Sequence, residues 1–173
     1  MKPKNHVLRL TCFCLLAWLI GLTAGAQTYQ PGALYQIMPQ ARQTSAIDHQ
    51  AEAGKAMLAK VNADRPEQHW TISALAGSWR LINPFTNQSL RTAGNQVGTG
   101  ENNGSDEAQL WKIETVGKHD AVLLVPANHP EVAAVSQADG RIAFEPKDKA
   151  KTDRNAWFVI RQAAAAGFDQ DLA

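Results

Sequence analysis

Three tryptophans constrain this chain more than any other feature. Each stands two residues after an amide side chain and two before a β-branched one: Gln68-His69-Trp70-Thr71-Ile72, Gln109-Leu110-Trp111-Lys112-Ile113 and Asn155-Ala156-Trp157-Phe158-Val159. The tryptophans are 41 and 46 residues apart. A recurring period of that size marks a repeat architecture and takes precedence over local secondary-structure propensity. Residues 33–75, 77–119 and 121–162 accordingly read as three similar units. Each opens on an apolar stretch of strand character, at Tyr35, Trp79 and Val122, followed by a breaker at Pro39, Pro84 and Pro126. A second apolar segment follows, then a turn at Gly54, between Gly94 and Gly100, or at Gly140.

Within each motif the amide, the tryptophan and the β-branched residue share one face, because side chains on a strand alternate with period two. Short strands separated by Gly, Pro and Asn turns indicate an all-β sandwich or barrel. Residues 50–61 are rich in Ala and Lys, but Gly54 interrupts them and the repeat register requires a hairpin there, not a helix. Propellers need at least four blades and solenoids need atypical end repeats. Three alike units of about 43 residues therefore predict a pseudo-threefold β-trefoil, each unit ending in an amide-x-Trp strand. Its expected core comprises Trp70, Trp111, Trp157, Gln68, Gln109, Ile72, Ile113 and Val159.

Residues 1–26 stand apart. Lys2, Lys4 and Arg9 precede the apolar run Cys12 to Leu22, and Ala24-Gly25-Ala26 supplies small residues for cleavage before Gln27. Eleven apolar residues reach about 16 Å as a helix, roughly half a bilayer core. A cleaved signal peptide is expected, hence a secreted or periplasmic protein without a stable membrane anchor. The domain is expected over 27–162, with 163–173 as a flexible tail. Both cysteines would leave with the leader, so stability must come from a hydrophobic core rather than disulfides. Three of the 17 basic residues would leave too, while all 16 acidic ones stay, so the mature chain carries two net negative charges. That balance does not fit a nucleic-acid partner.

The motifs resemble those of the ricin-type (ricin B-like) β-trefoil lectins. The first unit is most similar, with Ser45-Ala46-Ile47-Asp48 in place of that family's small-Leu-Asp motif ahead of Gln68-His69-Trp70. The second matches in Trp79 to Pro84, Ser89-Leu90 and Gln109 to Ile113, whereas the third keeps the skeleton with Asn155 for Gln. The resemblance implies that the Gln-x-Trp motif is structural. It also implies a sugar pocket built from an Asp after the second strand, an aromatic platform on the third and an amide near the Gln-x-Trp loop. A carboxylate accepts from vicinal hydroxyls, an amide donates and accepts, and a ring covers the apolar C–H face of a sugar. Unit one supplies Asp48, His49, Asn62 and Glu67, with Leu58 near the platform. Unit two has Arg91 and Thr99 at the Asp and platform positions. Unit three has Ala134 near the Asp position but offers Phe144 and Asn155.

Asp48 equally suits a role bonding the amides of its own turn. The histidines lack metal-ligand spacing, and neither a Gly-x-Ser-x-Gly elbow nor a phosphate loop occurs. No catalytic residue, metal or cofactor is expected. The polar run 94–107 reads as a solvated hairpin or a ligand-contacting loop. The overall expectation is an exported, non-catalytic, weak carbohydrate binder with partly degenerate sites. The alternative is a protein-binding, adhesion or inhibitor trefoil whose sugar sites have decayed.

Overall fold

The computed structural model describes residues 28–50, 54–117 and 120–163. The leader, its cleavage point, His119 and the tail beyond Ala163 lie outside the described residues. Twelve strands follow in order: β1 (Tyr35–Pro39), β2 (Ser45–Gln50), β3 (Lys55–Lys60), β4 (Thr71–Leu75), β5 (Ser78–Asn83), β6 (Gln88–Ala93), β7 (Gln96–Glu101), β8 (Trp111–Val116), β9 (Ala121–Pro126), β10 (Val132–Ser136), β11 (Ile142–Pro146) and β12 (Phe158–Gln162). One short helix, α1 (Lys147–Ala150), follows β11.

Six strands close a barrel. β1 pairs with β12, β12 with β9, β9 with β8, β8 with β5 and β5 with β4, all antiparallel. The ring shuts where Tyr35 and Trp70 exchange backbone hydrogen bonds of 2.8 and 2.9 Å. Hairpins β2–β3, β6–β7 and β10–β11 cap one end and meet pairwise through Lys55–Gly98, Gln96–Ala143 and Met57–Arg141. Closure at both levels removes sheet edges. The fold is thus an all-β trefoil, and residues 55–60 form a strand, as the repeat register requires.

Glycines mark the threefold pattern at the hairpin tips. Gly54, Gly94 and Gly140 have φ of +57°, +62° and +87°, a region that side chains with a Cβ rarely enter. Gly98 is needed for a different reason, close approach. A Cβ there would lie 2.8 Å from the Ala93 methyl and 2.9 Å from the Gly54 carbonyl. Gly98→Ala is therefore expected to destabilise by about 1–3 kcal/mol, the usual range for overpacking. Urea unfolding checks this, and an unchanged midpoint would contradict the packing of the cap.

The third repeat departs from the expected register. Each first strand pairs with its own fourth strand through Tyr35–Trp70, Trp79–Trp111 and Val122–Phe158. The turns before those strands agree: Gln68, Gln109 and Ala156 are equivalent, each bonding the carbonyl three residues back. Phe158, not Trp157, therefore fills the third core position, and Ile160, not Val159, corresponds to Ile72 and Ile113. Trp70, Trp111 and Phe158 have no exposed surface, whereas Trp157 and Val159 are only half-buried. Trp157 packs on a satellite cluster with Leu123, Val125 and Ala156, and donates to the Ala150 carbonyl at 3.1 Å.

The cause is local. Ten residues separate Lys60 from Trp70 and Glu101 from Trp111, but twelve separate the equivalent Pro146 from Phe158. The longer connection coils into α1, and the amide's work is no longer required. In the first two repeats that work is explicit. Gln68 accepts from Asn62 N and donates to Lys60 O, while Gln109 accepts from Asn103 N and donates to Glu101 O. Each buried amide closes its own loop, as burial demands of a polar side chain.

Candidate functional site

The three repeats treat one position differently. Asp48, Arg91 and Val135 are equivalent, each following the core residue of its second strand (Ile47, Leu90 and Ala134). Arg65, Asp106 and Asp153 are likewise equivalent, each preceding its short turn.

In repeat one the pair is Asp48 with Arg65. Asp48 has no exposed surface, its Oδ2 lies 2.7 Å from Arg65 Nε, and Gln68 Nε2 donates to the same oxygen at 3.2 Å. Burial pushes the Asp48 carboxyl above its ordinary value, opposed by the Gln68 amide and the Arg65 charge. In repeat two the charges are reversed. Arg91 Nη2 lies 3.7 Å from Asp106 Oδ2, which also accepts from Gln109 Nε2. Both places are thus filled by the chain's own ion pair, and Asp48 is closed to a ligand.

The remaining expected residues scatter. His49 is buried and shares a 3.0 Å hydrogen bond with Thr99, tying the first hairpin to the second. Asn62 is exposed and shapes its loop, accepting from Asp64 N. Glu67 lies at the rim, 3.6 Å from Arg65 Nε. Phe144 is partly buried and stacks on Trp111 with ring centres 6.3 Å apart, so part of its ring is engaged in core packing. Phe144 also borders a pocket of about 310 Å³ beside Asn95 and His129, and Asn155 lines a larger open one on repeat three.

That pocket belongs to repeat three, where Val135 and Ala156 leave room. It measures about 580 Å³ and is lined by Ser136, Gln137, Glu145, Lys149, Asp153 and Asn155, with Arg42 at its edge. Glu145 has a side chain only 10 % exposed. Its Oε2 is held by Lys149 at 2.7 Å, and its Oε1 has no hydrogen-bond partner among the described residues. Asp153 Oδ1 accepts from the Asn155 backbone and side chain at 2.9 and 3.0 Å. Arg42 donates to the Gln137 carbonyl at 2.5 Å. Acceptors, an amide and cations around a concavity suit a polyhydroxylated ligand. Sequence reasoning missed Glu145, Lys149 and Asp153. The available signal was Asp153 standing three residues before Ala156, as Asp106 stands before Gln109.

Two buried histidines give the scaffold a pH dependence. Desolvation holds His49 and His69 below the ordinary 6.5, against the charge of Asp48 for His49 and the Ala63 carbonyl for His69. A lowered value means the neutral form is favoured in the fold, so its stabilisation is complete above pH 6.5 and lost as pH falls through the lowered value. Asp48, shifted upward, acts oppositely: its contribution is present at low pH and fades as pH rises. Unfolding free energy is therefore expected to fall between pH 7 and pH 5. A His49→Asn/His69→Gln double variant should flatten that fall, and an unchanged slope would contradict the assignment.

Among the described residues, no group of three His, Cys, Asp or Glu side chains could hold a metal, and no helix is long and apolar enough to cross a membrane. The fold is a β-trefoil. The family model described as ricin-type beta-trefoil lectin domain-like matches residues 66–144, so the likeness to the ricin-type β-trefoil lectins is shown for the segment that includes the first two Gln-x-Trp motifs. No curated protein matches the chain. Many solved structures share the fold at low identity. The designed threefold symmetric protein ThreeFoil is 13 % identical with a TM-score of 0.59, over 73 % of this chain and 96 % of that one. SeviL, solved with asialo-GM1 saccharide, is 13 % identical with a TM-score of 0.61, over 79 % and 100 %. A lectin from Polyporus squamosus, bound to a sialylated trisaccharide epitope, is 12 % identical with a TM-score of 0.63, over 78 % and 50 %. Other neighbours are far longer: this chain spans 18 % of a mosquitocidal holotoxin and 35 % of an endo-β-galactosidase from Clostridium perfringens.

Proposed function

We propose that the chain is an exported, non-catalytic carbohydrate-binding trefoil whose binding site is the repeat-three pocket. One observation carries this reading. The places equivalent to that pocket in repeats one and two are filled by Asp48–Arg65 and Arg91–Asp106, whereas Val135 and Ala156 leave it open beside Glu145, Asp153 and Asn155. The lectin-like family match and the saccharide-bound neighbours support sugar as the ligand class. A single shallow polar site gives weak affinity, about millimolar or roughly −4 kcal/mol, so multivalent glycans or display are the natural context. Titration with a panel of soluble oligosaccharides tests the reading. Asn155→Ala is expected to weaken binding about tenfold, or roughly 1.4 kcal/mol, with the fold intact. Asp48→Asn is expected to change affinity little because Asp48 has no exposed surface. Absence of binding to any glycan by folded protein would defeat the proposal.

A second reading, a protein-binding or adhesion trefoil, has its own support. Phe85 is 49 % and Leu75 41 % exposed, and a separate groove of about 640 Å³ runs beside Tyr29 and Trp79. A contiguous apolar groove of this kind suits a contact with a protein segment. Weaker partner binding on Phe85→Ser, with glycan binding unaffected, would favour it.

A further inference from the structure

Repeats one and two set a cation of the chain against a carboxylate at the same place. In repeat one it is Arg65 on buried Asp48, and in repeat two Arg91 on Asp106. The Arg91 side chain passes over Gly100, whose absent Cβ would otherwise lie 2.8 Å from Arg91 Cδ. Glu145 is the repeat-three counterpart of Gly100, since both occupy the same register position on the third strand of their hairpins. Repeat three therefore has carboxylates on two sides of the space that a guanidinium fills in repeat two: Glu145 from β11 and Asp153 from the turn.

The donors available to Asp106 Oδ2, from Arg91 and Gln109, have no equivalents at Val135 and Ala156. What lies there instead is the Lys149 ammonium, 2.7 Å from Glu145 Oε2 on a side chain 69 % exposed. Arg65 and Arg91 are 45 % and 40 % exposed, so Lys149 is the loosest of the three cations. A solvated lysine on a flexible stem is a weak partner, and such ion pairs contribute little. Glu145, by contrast, is nine-tenths buried with an oxygen left over, and an unsatisfied buried acceptor is costly. The other cation at the rim, Arg42, is engaged with the Gln137 carbonyl.

Resting on the carbohydrate-binding reading of this pocket, we infer that it selects sugars bearing a free protonated amine, whose ammonium displaces Lys149 and sits between Glu145 and Asp153. Asn155, Ser136 and Gln137 then meet the hydroxyls. No bond is made or broken, and Lys149 swings into solvent.

The test titrates the full chain, by calorimetry or amide chemical shifts, with glucosamine tetramer, N-acetylglucosamine tetramer and a neutral galactose oligomer at one ionic strength. The free-amine oligomer is expected to bind about tenfold tighter than its acetylated counterpart, or roughly 1.4 kcal/mol. Lys149→Gln, which removes the internal competitor, should tighten amine binding several-fold, while Asp153→Asn and Glu145→Gln should erase the preference. Circular dichroism establishes that each variant is folded, and Lys149→Gln alone decides the matter should Glu145→Gln unfold. Equal or better binding of acetylated or neutral sugar overturns the inference and leaves the carbohydrate reading standing. Weaker amine binding by Lys149→Gln also overturns it. No binding of any sugar removes both.

Discussion

Phe158→Ala is expected to destabilise the protein by about 3–5 kcal/mol, as much as Trp70→Ala or Trp111→Ala, because large-to-small changes of a core aromatic have that range. All three rings are without exposed surface and occupy equivalent places where a first strand pairs with its own fourth strand. Trp157→Ala should cost less than half as much. Its ring is half-buried at the edge of a satellite cluster and contributes one hydrogen bond to the Ala150 carbonyl. For a domain with a stability of roughly 5–15 kcal/mol, the first three losses are a large share. Chemical denaturation of the four variants ranks them directly. Trp157→Ala as the worst of the four would contradict the register of repeat three.

The second large effect lies at the buried pair of repeat one. Arg65→Ala leaves the Asp48 carboxylate with the Gln68 amide alone in a place without exposed surface. Breaking a buried pair by removing one member costs about 3–5 kcal/mol, and the partial exposure of Arg65 at 45 % reduces this to about 2–3. In an Ala59→Gly background, which gives the room that Gly100 leaves for Arg91, exchanging the charges by Asp48→Arg with Arg65→Asp reproduces the arrangement of Arg91 and Asp106. The exchanged protein should regain at least half of the loss, with a coupling energy above about 0.5 kcal/mol in the double-mutant cycle. Additive destabilisation by the two changes would contradict the equivalence of these positions. Sugar affinity at repeat three should be unaffected throughout.

The trefoil itself was legible because its determinants are repetitive and local. Tyr35, Trp79 and Val122 open equivalent strands, and Gly54, Gly94 and Gly140 turn equivalent hairpins. The absence of a helix at 55–60 followed from the same register. Repeat three was misread by one residue because Trp157 and Phe158 are adjacent aromatics. A slip of one on a strand sends every side chain to the opposite face. Asn155-Ala156-Trp157 imitates the motif, yet the two extra residues that coil into α1 shift the turn, leaving Ala156 where the amides stand elsewhere.

The site was less legible, for a tertiary reason. Asp48 carries the local pattern that the lectin resemblance associates with sugar binding. Its availability depends on Arg65, seventeen residues away, folding onto it, and strand alternation does not encode that contact. Phe144 is aromatic and on the third strand of its repeat, but the alternation from Ile142 turns it inward onto Trp111. Conversely, Glu145 and Asp153 come together only through the hairpin and the turn beyond α1. Of the six candidates, Asn155 and Phe144 border pockets, and the one at Asn155 is the one that also gathers Glu145, Lys149 and Asp153.

Amide chemical shifts recorded during titration of the folded chain with soluble oligosaccharides locate the binding site. Saturable changes are expected to cluster at Ser136, Gln137, Lys149 and Asn155, with the amides around Asp48 and Arg65 unmoved. Saturable changes centred on Asp48, or an unperturbed spectrum at the highest soluble sugar concentration, would contradict that assignment.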